Sequence, residues 1–545
     1  MPRDRVRPFH GSSLRVQPLA GTDRPYVCRA TISRTRGNHR VNDSGTFRAF
    51  FPQGVRVTSR ATATRLVLAI AVASAVISLP AAAQAVAPSA PAGAAAAPAG
   101  LQADFNGDGY GDLAFSAPGA TVNGFANAGF AGVVYGSSSG LKPTTKQVIT
   151  QNSAGIPGVA EAGDGFSGTL ASADLDQDGY TDLVVGSPGE QDGTAVRAGA
   201  LSVVWGGPTG LSGGATLLVG TASSEVGSEL AVGDFDGDGA KDLATFRHDD
   251  LQVLSGPFTR AGAATAVALT PDTDDNRWLD LAAGDVDGDG RDDLVGLAHN
   301  GNEDDRRRVS VAAGGTSGPG AFSEVAGGNG SGLEAGETLA VGNINGDAYA
   351  DFVVGRLEGH DSDAENPLSL GGMITYVPGG ATGAQGAKAK VFNQDSAGIP
   401  GAAERGDLFG SSLAIGDTDG DGYGEVAVGV PGEALGTTAR AGGIVVLPGT
   451  AAGPTGTGST GFNQDTQGVT GTAEQGDLFG GAAAFVDGDR NGRAELAVGA
   501  PGENAGEGSL WVLPSMTSGT GSFTFGHGTL GTVAVKAALG SSFSR

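Results

Sequence analysis

The sequence predicts an all-β protein: a seven-bladed β-propeller of four-stranded antiparallel blades, its ring closed by the C-terminal strand. Three observations carry this. An acidic nine-residue loop recurs seven times, with starts 70, 60, 51, 58, 74 and 70 residues apart. That spacing is too long for a hairpin and suits one four-stranded sheet per repeat. Between the loops the apolar runs are short, β-branched and bounded by Gly or Pro, and no 3.6-residue apolar period runs through them.

The loop is clearest at Asp417-Thr-Asp-Gly-Asp-Gly-Tyr-Gly-Glu425. Asp417, Asp419 and Asp421 at positions 1, 3 and 5 can turn their carboxylates inward. Tyr423 at position 7 offers its backbone carbonyl, Glu425 at position 9 closes the shell, and Gly422 permits the sharp turn. Hard divalent cations take about six to eight oxygen ligands, and Ca²⁺ tolerates irregular geometry, so these loops predict Ca²⁺ sites. The ligand positions of the first two loops are Asp104, Asn106, Asp108, Tyr110 and Asp112, then Asp174, Asp176, Asp178, Tyr180 and Asp182. The third has Asp234, Asp236, Asp238, Ala240 and Asp242, and the fourth Asp285, Asp287, Asp289, Arg291 and Asp293. The seventh has Asp487, Asp489, Asn491, Arg493 and Glu495.

The fifth loop, Asn343–Asp351, has Asn343 and Asn345 in place of acids and Ala348 in place of glycine. It is expected to be weak or empty, leaving six Ca²⁺ ions, because two charges are lost and a positive φ at alanine costs about 1 kcal/mol. An EF-hand is excluded. That motif needs an acid at position 12 and flanking helices, whereas position 12 here is Phe115, Val185, Thr245, Gly296, Val354, Val428 or Val498. Mg²⁺ is disfavoured by its reluctance to dehydrate.

Taken in order, residues 1–56 are Arg-rich without a periodic apolar pattern and are expected to be an unstructured extension. Arg60 and Arg65 precede an apolar run from Leu66 to Leu79, then Pro80 and Ala83-Gln-Ala85. This is the pattern of a secretory signal over 57–85, since fourteen apolar residues fall short of the ~20 a bilayer span needs. A signal starting near residue 57 suggests that translation begins at Val55 or Val57. Residues 86–99 are Ala/Pro/Gly linker, and 100–545 are the repeats. Residues 1–85 hold 13 Arg against 3 Asp, leaving 20 basic and 56 acidic groups beyond, a net charge of −36. Such a surface repels phosphate backbones and argues against nucleic-acid binding. The single cysteine, Cys28, lies in the front segment, so the repeats have no disulfide.

Within one repeat, Ser412-Leu-Ala-Ile-Gly416 enters the loop and Glu425-Val-Ala-Val-Gly429 leaves it. Gly443-Ile-Val-Val-Leu447 is the third strand, and Lys390-Val-Phe392 is the short fourth strand of the repeat before. Asp407-Leu-Phe-Gly410, Asp477-Leu-Phe-Gly480 and Asp164-Gly-Phe-Ser-Gly168 precede a loop. Gly186-Ser-Pro-Gly189, Gly429-Val-Pro-Gly432 and Gly499-Ala-Pro-Gly502 follow one. Phe-Gly, an Asp-rich loop, then Gly-x-Pro resembles the FG-GAP repeat of integrin α-subunit headpieces and secreted bacterial proteins. Repeats 2, 6 and 7 match best, whereas repeats 3, 4 and 5 lack a clean Phe-Gly and Gly-x-Pro. The resemblance implies a propeller with Ca²⁺ in the Asp-rich loops, on the face away from the main ligand site. Repeat 1 has no Phe-Gly before it. Leu539-Gly-Ser-Ser-Phe543 resembles Phe409-Gly-Ser-Ser-Leu413, so the last residues are expected to complete the first blade.

Other motifs weigh less. Arg405-Gly-Asp407 spells an adhesion tripeptide, but sibling positions share only Gly-Asp. Gly136-Ser-Ser-Ser-Gly140 fits the nucleophile-elbow pattern without the helix an elbow needs. His248, His299, His360 and His527 fall in different repeats, which makes surface or blade-edge positions the default. Glu190, Glu433 and Glu503 recur after Pro-Gly, either lining one face or simply solvated. The expected protein is a secreted, monomeric, Ca²⁺-binding adhesion or ligand-binding module for an extracellular protein or carbohydrate, without a membrane span in the mature chain. The alternatives are a secreted hydrolase with its site at the propeller channel, or a structural wall or matrix protein.

Overall fold

From the second loop on, each acidic loop joins two antiparallel strands, and two more strands follow before the next loop, so each of these repeats folds as a meander. The structure is a computed structural model. It describes residues 103–545 apart from 248–249, 263–264, 269–275, 301–306, 334–335 and 358–369, together with three strands within residues 13–46. The sixth repeat is representative: Leu413–Gly416, Glu425–Val430, Gly443–Leu447 and Thr460–Phe462 pair in that order. Six such four-stranded sheets are blades 2 to 7. Blade 1 has three regular strands, Leu113–Ala117, Phe130–Val134 and Lys146–Ile149. The C-terminal segment supplies the fourth position. Phe543 bridges antiparallel to Phe115, and backbone N–H groups of Gly540 and Ser544 donate to the carbonyls of Ser116 and Ala114 at 2.9 and 3.2 Å. The expected closure is thus present, made by a short bridged segment.

The second strands read as unbroken apolar runs because both faces are covered. Asp182–Ser187, Glu425–Val430 and Glu495–Ala500 are buried along their whole length. The core accordingly divides into seven clusters, one between each pair of adjacent blades. The cluster between blades 7 and 1 holds Phe115, Phe525, Leu539 and Phe543.

The Phe-Gly and Gly-x-Pro phrases meet at these seams. Phe409 and Phe479 are fully buried. A Cβ on Gly429 would stand 2.1 Å from the Gly480 carbonyl oxygen of the next blade, and one on Gly499 would stand 2.0 Å from that of Gly540. Backbone therefore packs on backbone, and only glycine fits. The third repeat, where the sequence shows no Phe-Gly, uses Val226-Gly227 in the same way: a Cβ on Gly186 would stand 2.1 Å from the Gly227 oxygen.

The innermost strands surround a channel of about 350 Å³ lined mainly by Ala, Val, Leu and Ile. Arg545 reaches into it and forms a two-pronged ion pair with Asp280 of blade 4, its Nη2 donating to Oδ2 at 3.0 Å. Asp280 is buried and also accepts the backbone N–H groups of Leu281 and Leu339, each at 2.9 Å. Half of the Arg545 side chain remains open to channel water, although protein surrounds it. Burial, with the Asp280 charge beside it, raises the Glu229 carboxyl above its ordinary range.

Among the described residues His527–Leu530 is a single α-helical turn, while Glu503–Gly506 turns through the left-handed Asn504 and Ala505, at φ 52° and 63°. The front segment, expected to lack regular structure, instead holds a three-stranded antiparallel sheet of Ser13–Pro18, Cys28–Arg36 and His39–Thr46. Thr31, Ile32 and Thr35 in its central strand are β-branched and favour the extended backbone. The signal, 57–85, and the linker, 86–99, lie outside the described residues. No helix among the described residues is long and apolar enough to cross a membrane.

The closing seam gives a direct test. Replacing Phe543 by Ala should destabilise the chain by about 3 kcal/mol, the usual cost of emptying a buried aromatic site. A thermal or urea melt of the full chain reads this, and an unchanged midpoint would remove the C-terminal segment from the core.

Candidate metal loops

All seven acidic loops project from the same end of the blades, since loops 2 to 7 each join an innermost strand to the second strand beside it and loop 1 leads into the second strand of blade 1. Their backbone is shaped by their own carboxylates. In loop 6, Asp417 Oδ1 accepts the N–H of Gly420 at 2.7 Å and Oδ2 that of Gly422 at 3.0 Å. Asp421 Oδ1 accepts the N–H of Tyr423 at 2.9 Å. The bond from the position 6 N–H to the position 1 carboxylate recurs in loops 1, 2, 3, 4 and 7. It needs a left-handed residue at position 6, where Gly422 has φ +88°.

The position 9 acid is the deepest. Asp182 Oδ2 accepts from Leu175 N–H at 2.9 Å, and Oδ1 from Gly206 N–H at 2.7 Å, at the end of the third strand. The same double bond holds Asp112, Asp242, Asp293 and Asp351. This acid ties the loop to the blade, and in Asp112, Asp182 and Asp242 each oxygen keeps a second acceptor position. Burial is the main cause that raises these carboxyls, to about 7 for Asp112 and Glu495 and about 6 for Asp182, Asp242 and Asp293. Neighbouring loop acids add to it, while the backbone N–H bonds oppose it.

Carboxylate oxygens converge within 4.8 Å in four loops, at Asp174/Asp176/Asp182, Asp234/Asp236/Asp242, Asp285/Asp287/Asp289 and Asp417/Asp419/Glu425. Three like charges that close repel strongly, and an all-oxygen set of this kind suits a hard cation. Loops 1 and 7 have asparagine at one position: Asn106 Nδ2 donates to Asp108 Oδ2 at 3.0 Å, and Asn491 Oδ1 accepts from Arg493 N–H at 2.8 Å.

Loop 5 differs as its sequence suggests, by another route. Ala348 avoids the left-handed region. Asn343 Nδ2 donates to the Asp347 carbonyl at 2.6 Å, and Asn345 Nδ2 donates to Asp347 Oδ2 at 2.8 Å. At position 1 the Asn343 amide N–H thus stands where every other loop has a carboxylate, while the Asn345 contact repeats that of Asn106 in loop 1. Loop 2 has its own cation: Arg260 of blade 3 pairs with Asp178 and, at 2.7 Å, with Asp176, and lies over the Trp205 ring. Nothing in the loop sequence signals it.

The repeat family described as FG-GAP repeat matches residues 96–136, 166–204, 409–447 and 479–513. The chain is an FG-GAP repeat propeller. Among curated proteins, rat phosphatidylinositol-glycan-specific phospholipase D is 30% identical over 200 residues, 35% of this chain and 22% of that protein. The mouse enzyme is 33% identical over 163 residues, covering 29% and 18%. Mouse integrin alpha-IIb is 37% identical over 95 residues, covering 17% and 8%. The propeller thus spans about a fifth of the phospholipases it matches and less of the integrin. A solved structure of an Agrocybe aegerita lectin, titled for specific recognition of non-reducing terminal N-acetylglucosamine, aligns at TM-score 0.37 and 15% identity, covering 68% of this chain and 81% of the lectin. At that score it bears on neither fold nor ligand.

In this FG-GAP propeller, position 7 does more than offer a carbonyl. Its side chain packs on position 4 of the preceding loop. A Cβ on Gly107 would stand 2.5 Å from the Tyr180 ring, one on Gly288 2.6 Å from Tyr349, and one on Gly346 2.9 Å from Tyr423. Where position 7 is small, at Ala240, position 4 of the loop before is large: Gln177, whose Nε2 donates to Gly239 carbonyl at 3.0 Å. This pairing was legible as a size exchange between repeats, but only once position 4 and the next position 7 were compared.

The remaining motifs fall into place structurally. Asp407 of Arg405-Gly-Asp407 is buried, so the tripeptide is not presented. Gly136–Gly140 is a turn closed by Ser137 Oγ donating to Gly140 carbonyl at 2.8 Å. Of the surface or blade-edge positions expected, His527 takes a buried one at the edge of blade 7 against Phe130, where both ring nitrogens have partners in Thr532 Oγ1 and the Glu507 carbonyl. His248 and His360 lie outside the described residues.

Two outcomes follow. Gly107→Gln should cost about 2 kcal/mol, combining left-handed strain with the clash, and only about 1 kcal/mol in a Tyr180→Ala background. A double-mutant melting cycle checks this, and additive costs would refute the loop-to-loop contact. The second concerns pH. Folded carboxyl pKa values raised to about 6–7 mean that the folded state binds more protons than the unfolded between about pH 4 and 7. Stability of the metal-free chain should therefore rise as pH falls through that window and fall as pH climbs. Melts in chelator at pH 5 and 7.5 decide it.

Proposed function

We propose that this FG-GAP propeller is an extracellular Ca²⁺-binding module that presents a ligand surface for a protein or glycan on the end opposite its metal loops. The observation that carries the reading is the convergence of three carboxylates in each of four loops, on backbone already folded around them. Asp174, Asp234, Asp285 and Asp417 with their partners would hold the ions. Loops 1 and 7 would hold theirs with one amide oxygen, from Asn106 and Asn491. A bound ion would neutralise the crowded acids and add folding free energy in repeats that lack disulfides.

The leader pattern at 57–85 and the kinship with integrin α-subunits support an extracellular site of action. Presentation is favoured over catalysis because the channel is lined mainly by aliphatic side chains and its cationic groups are ion-paired, Arg545 with Asp280 and Lys241 with Asp292. No observation favours the hydrolase or the matrix alternative specifically.

Saturating Ca²⁺ should raise the melting temperature of the chelator-treated chain, since a ligand at 100 times its Kd adds ~2.7 kcal/mol per site. Differential scanning calorimetry with and without chelator, paired with metal analysis, reads it. Fewer than about three bound ions and no shift would end the Ca²⁺ reading. Arrays of glycans and matrix proteins probed with the Ca²⁺-loaded chain would then separate ligand presentation from a purely structural role.

A further inference from the structure

We propose that three of the seven seams carry a second class of hard-cation site, each built from one Gln amide oxygen, one Glu carboxylate and one buried Asp carboxylate. They lie at the end of the propeller opposite the acidic loops, and the proposal is independent of what those loops bind.

The seam between blades 6 and 7 shows the arrangement. Gln464 follows the outermost strand of blade 6 and is 2% exposed. Its Nε2 donates to Glu503 Oε2 at 2.7 Å. Its Oε1 is buried without any partner. Asp477, also buried, accepts the N–H of Glu474 through Oδ2 at 2.6 Å. The Asp477 carbonyl accepts the N–H of Gly502 at 3.0 Å, which brings the Glu503 loop against Asp477. The amide head of Gln464 thus sits between two acids with its Nε2 toward them and its Oε1 unsatisfied; a half-turn of the amide exchanges the two and sets the oxygen beside the carboxylates, as a bound cation requires.

The set recurs. At the seam of blades 5 and 6, Gln394 Nε2 donates to Glu433 Oε2 at 2.7 Å and Asp407 accepts from Glu404 N–H at 2.6 Å. At the seam of blades 1 and 2, Gln151 donates to Glu190 and Asp164 accepts from Glu161 N–H, both at 2.5 Å. Gln394 and Gln151 are 3% and 6% exposed, and both Oε1 atoms are again buried and unpartnered. Leaving a buried acceptor unmet is destabilising, and the same one arises three times.

The seam between blades 7 and 1 is the internal control. His527 takes the Gln place, two residues beyond Phe525 as Gln464 is two beyond Phe462. Ala537 stands where Asp477 would, and Ala120 follows Pro118-Gly119 where Glu would. There the histidine is fully hydrogen-bonded and nothing is orphaned. Across these four seams amide and acids are kept together or lost together, as a single binding unit would require. Burial also pushes the Glu190 and Glu503 carboxyls up to about 7, with the neighbouring Asp adding to it, so these seams are short of positive charge. An all-oxygen set with two carboxylates suits Ca²⁺ or a similar hard ion.

Equilibrium dialysis of the full chain against Ca²⁺ tests this. The variant with Glu190→Gln, Glu433→Gln and Glu503→Gln keeps every loop intact and should bind three fewer ions per chain than wild type. Equal stoichiometry would overturn the proposal and leave the seams filled by protons. If the triple variant does not fold, each single variant should lose one ion, and no loss in any of them overturns it equally. Failure of the loop reading would show separately, as a low wild-type total with the difference of three preserved.

Discussion

Everything in this chain depends on burying seams. No blade can cover its own two faces, so each apolar second strand is stable only between neighbours, and the seven core clusters are seven interfaces. An open arc would leave two such faces and two sheet edges in water. The contact of Phe543 and Leu539 with Phe115 and Phe525 therefore matters beyond its own area, because it removes both ends at once. The glycine-on-glycine contacts, such as Gly429 on Gly480, let neighbouring blades approach closely at their narrow ends.

That constraint explains how the motifs divide their labour. The Phe-Gly and Gly-x-Pro phrases belong to the seams and make no statement about chemistry. The acidic loops are tied to the blades through their ninth residue, whose two oxygens take backbone N–H groups from the loop's own second residue and from the end of the third strand. The remaining carboxylates fold the loop first and converge second. A cation arriving there meets a nearly finished site, so its binding energy would go into relieving repulsion more than into ordering the chain.

Repeat architecture made the fold legible. Seven acidic loops at similar spacing gave the blade count, and Leu539-Gly-Ser-Ser-Phe543 gave the closure, because a periodic fold repeats its signals. What stayed hidden depends on partners far apart in sequence. Arg260 lies 84 residues from Asp176 and belongs to another blade. The Asn345 amide that links Asp347 to its neighbour is a matter of rotamer. Gln464 looks like any turn residue until the fold sets it against Glu503. The front sheet escaped because alternation was weak among so many arginines.

The channel argues where recognition belongs. In a propeller the innermost strands could present groups to a ligand passing along the axis. Here they present mainly Ala, Val, Leu and Ile, and Arg545 crosses from the closing segment to Asp280 on blade 4. That ion pair neutralises the one buried carboxylate that accepts backbone bonds from both blade 4 and blade 5, Leu281 and Leu339. It adds a polar tie across the ring to the apolar one at Phe543. A group so committed serves the ring, and in the proposed presentation role the connecting loops at the two ends are left to meet other molecules. The loop end is acidic and repetitive; the other end carries the long Phe-Gly and Pro-Gly segments, which vary between repeats in length and charge, and variation on a fixed frame is what selective recognition requires.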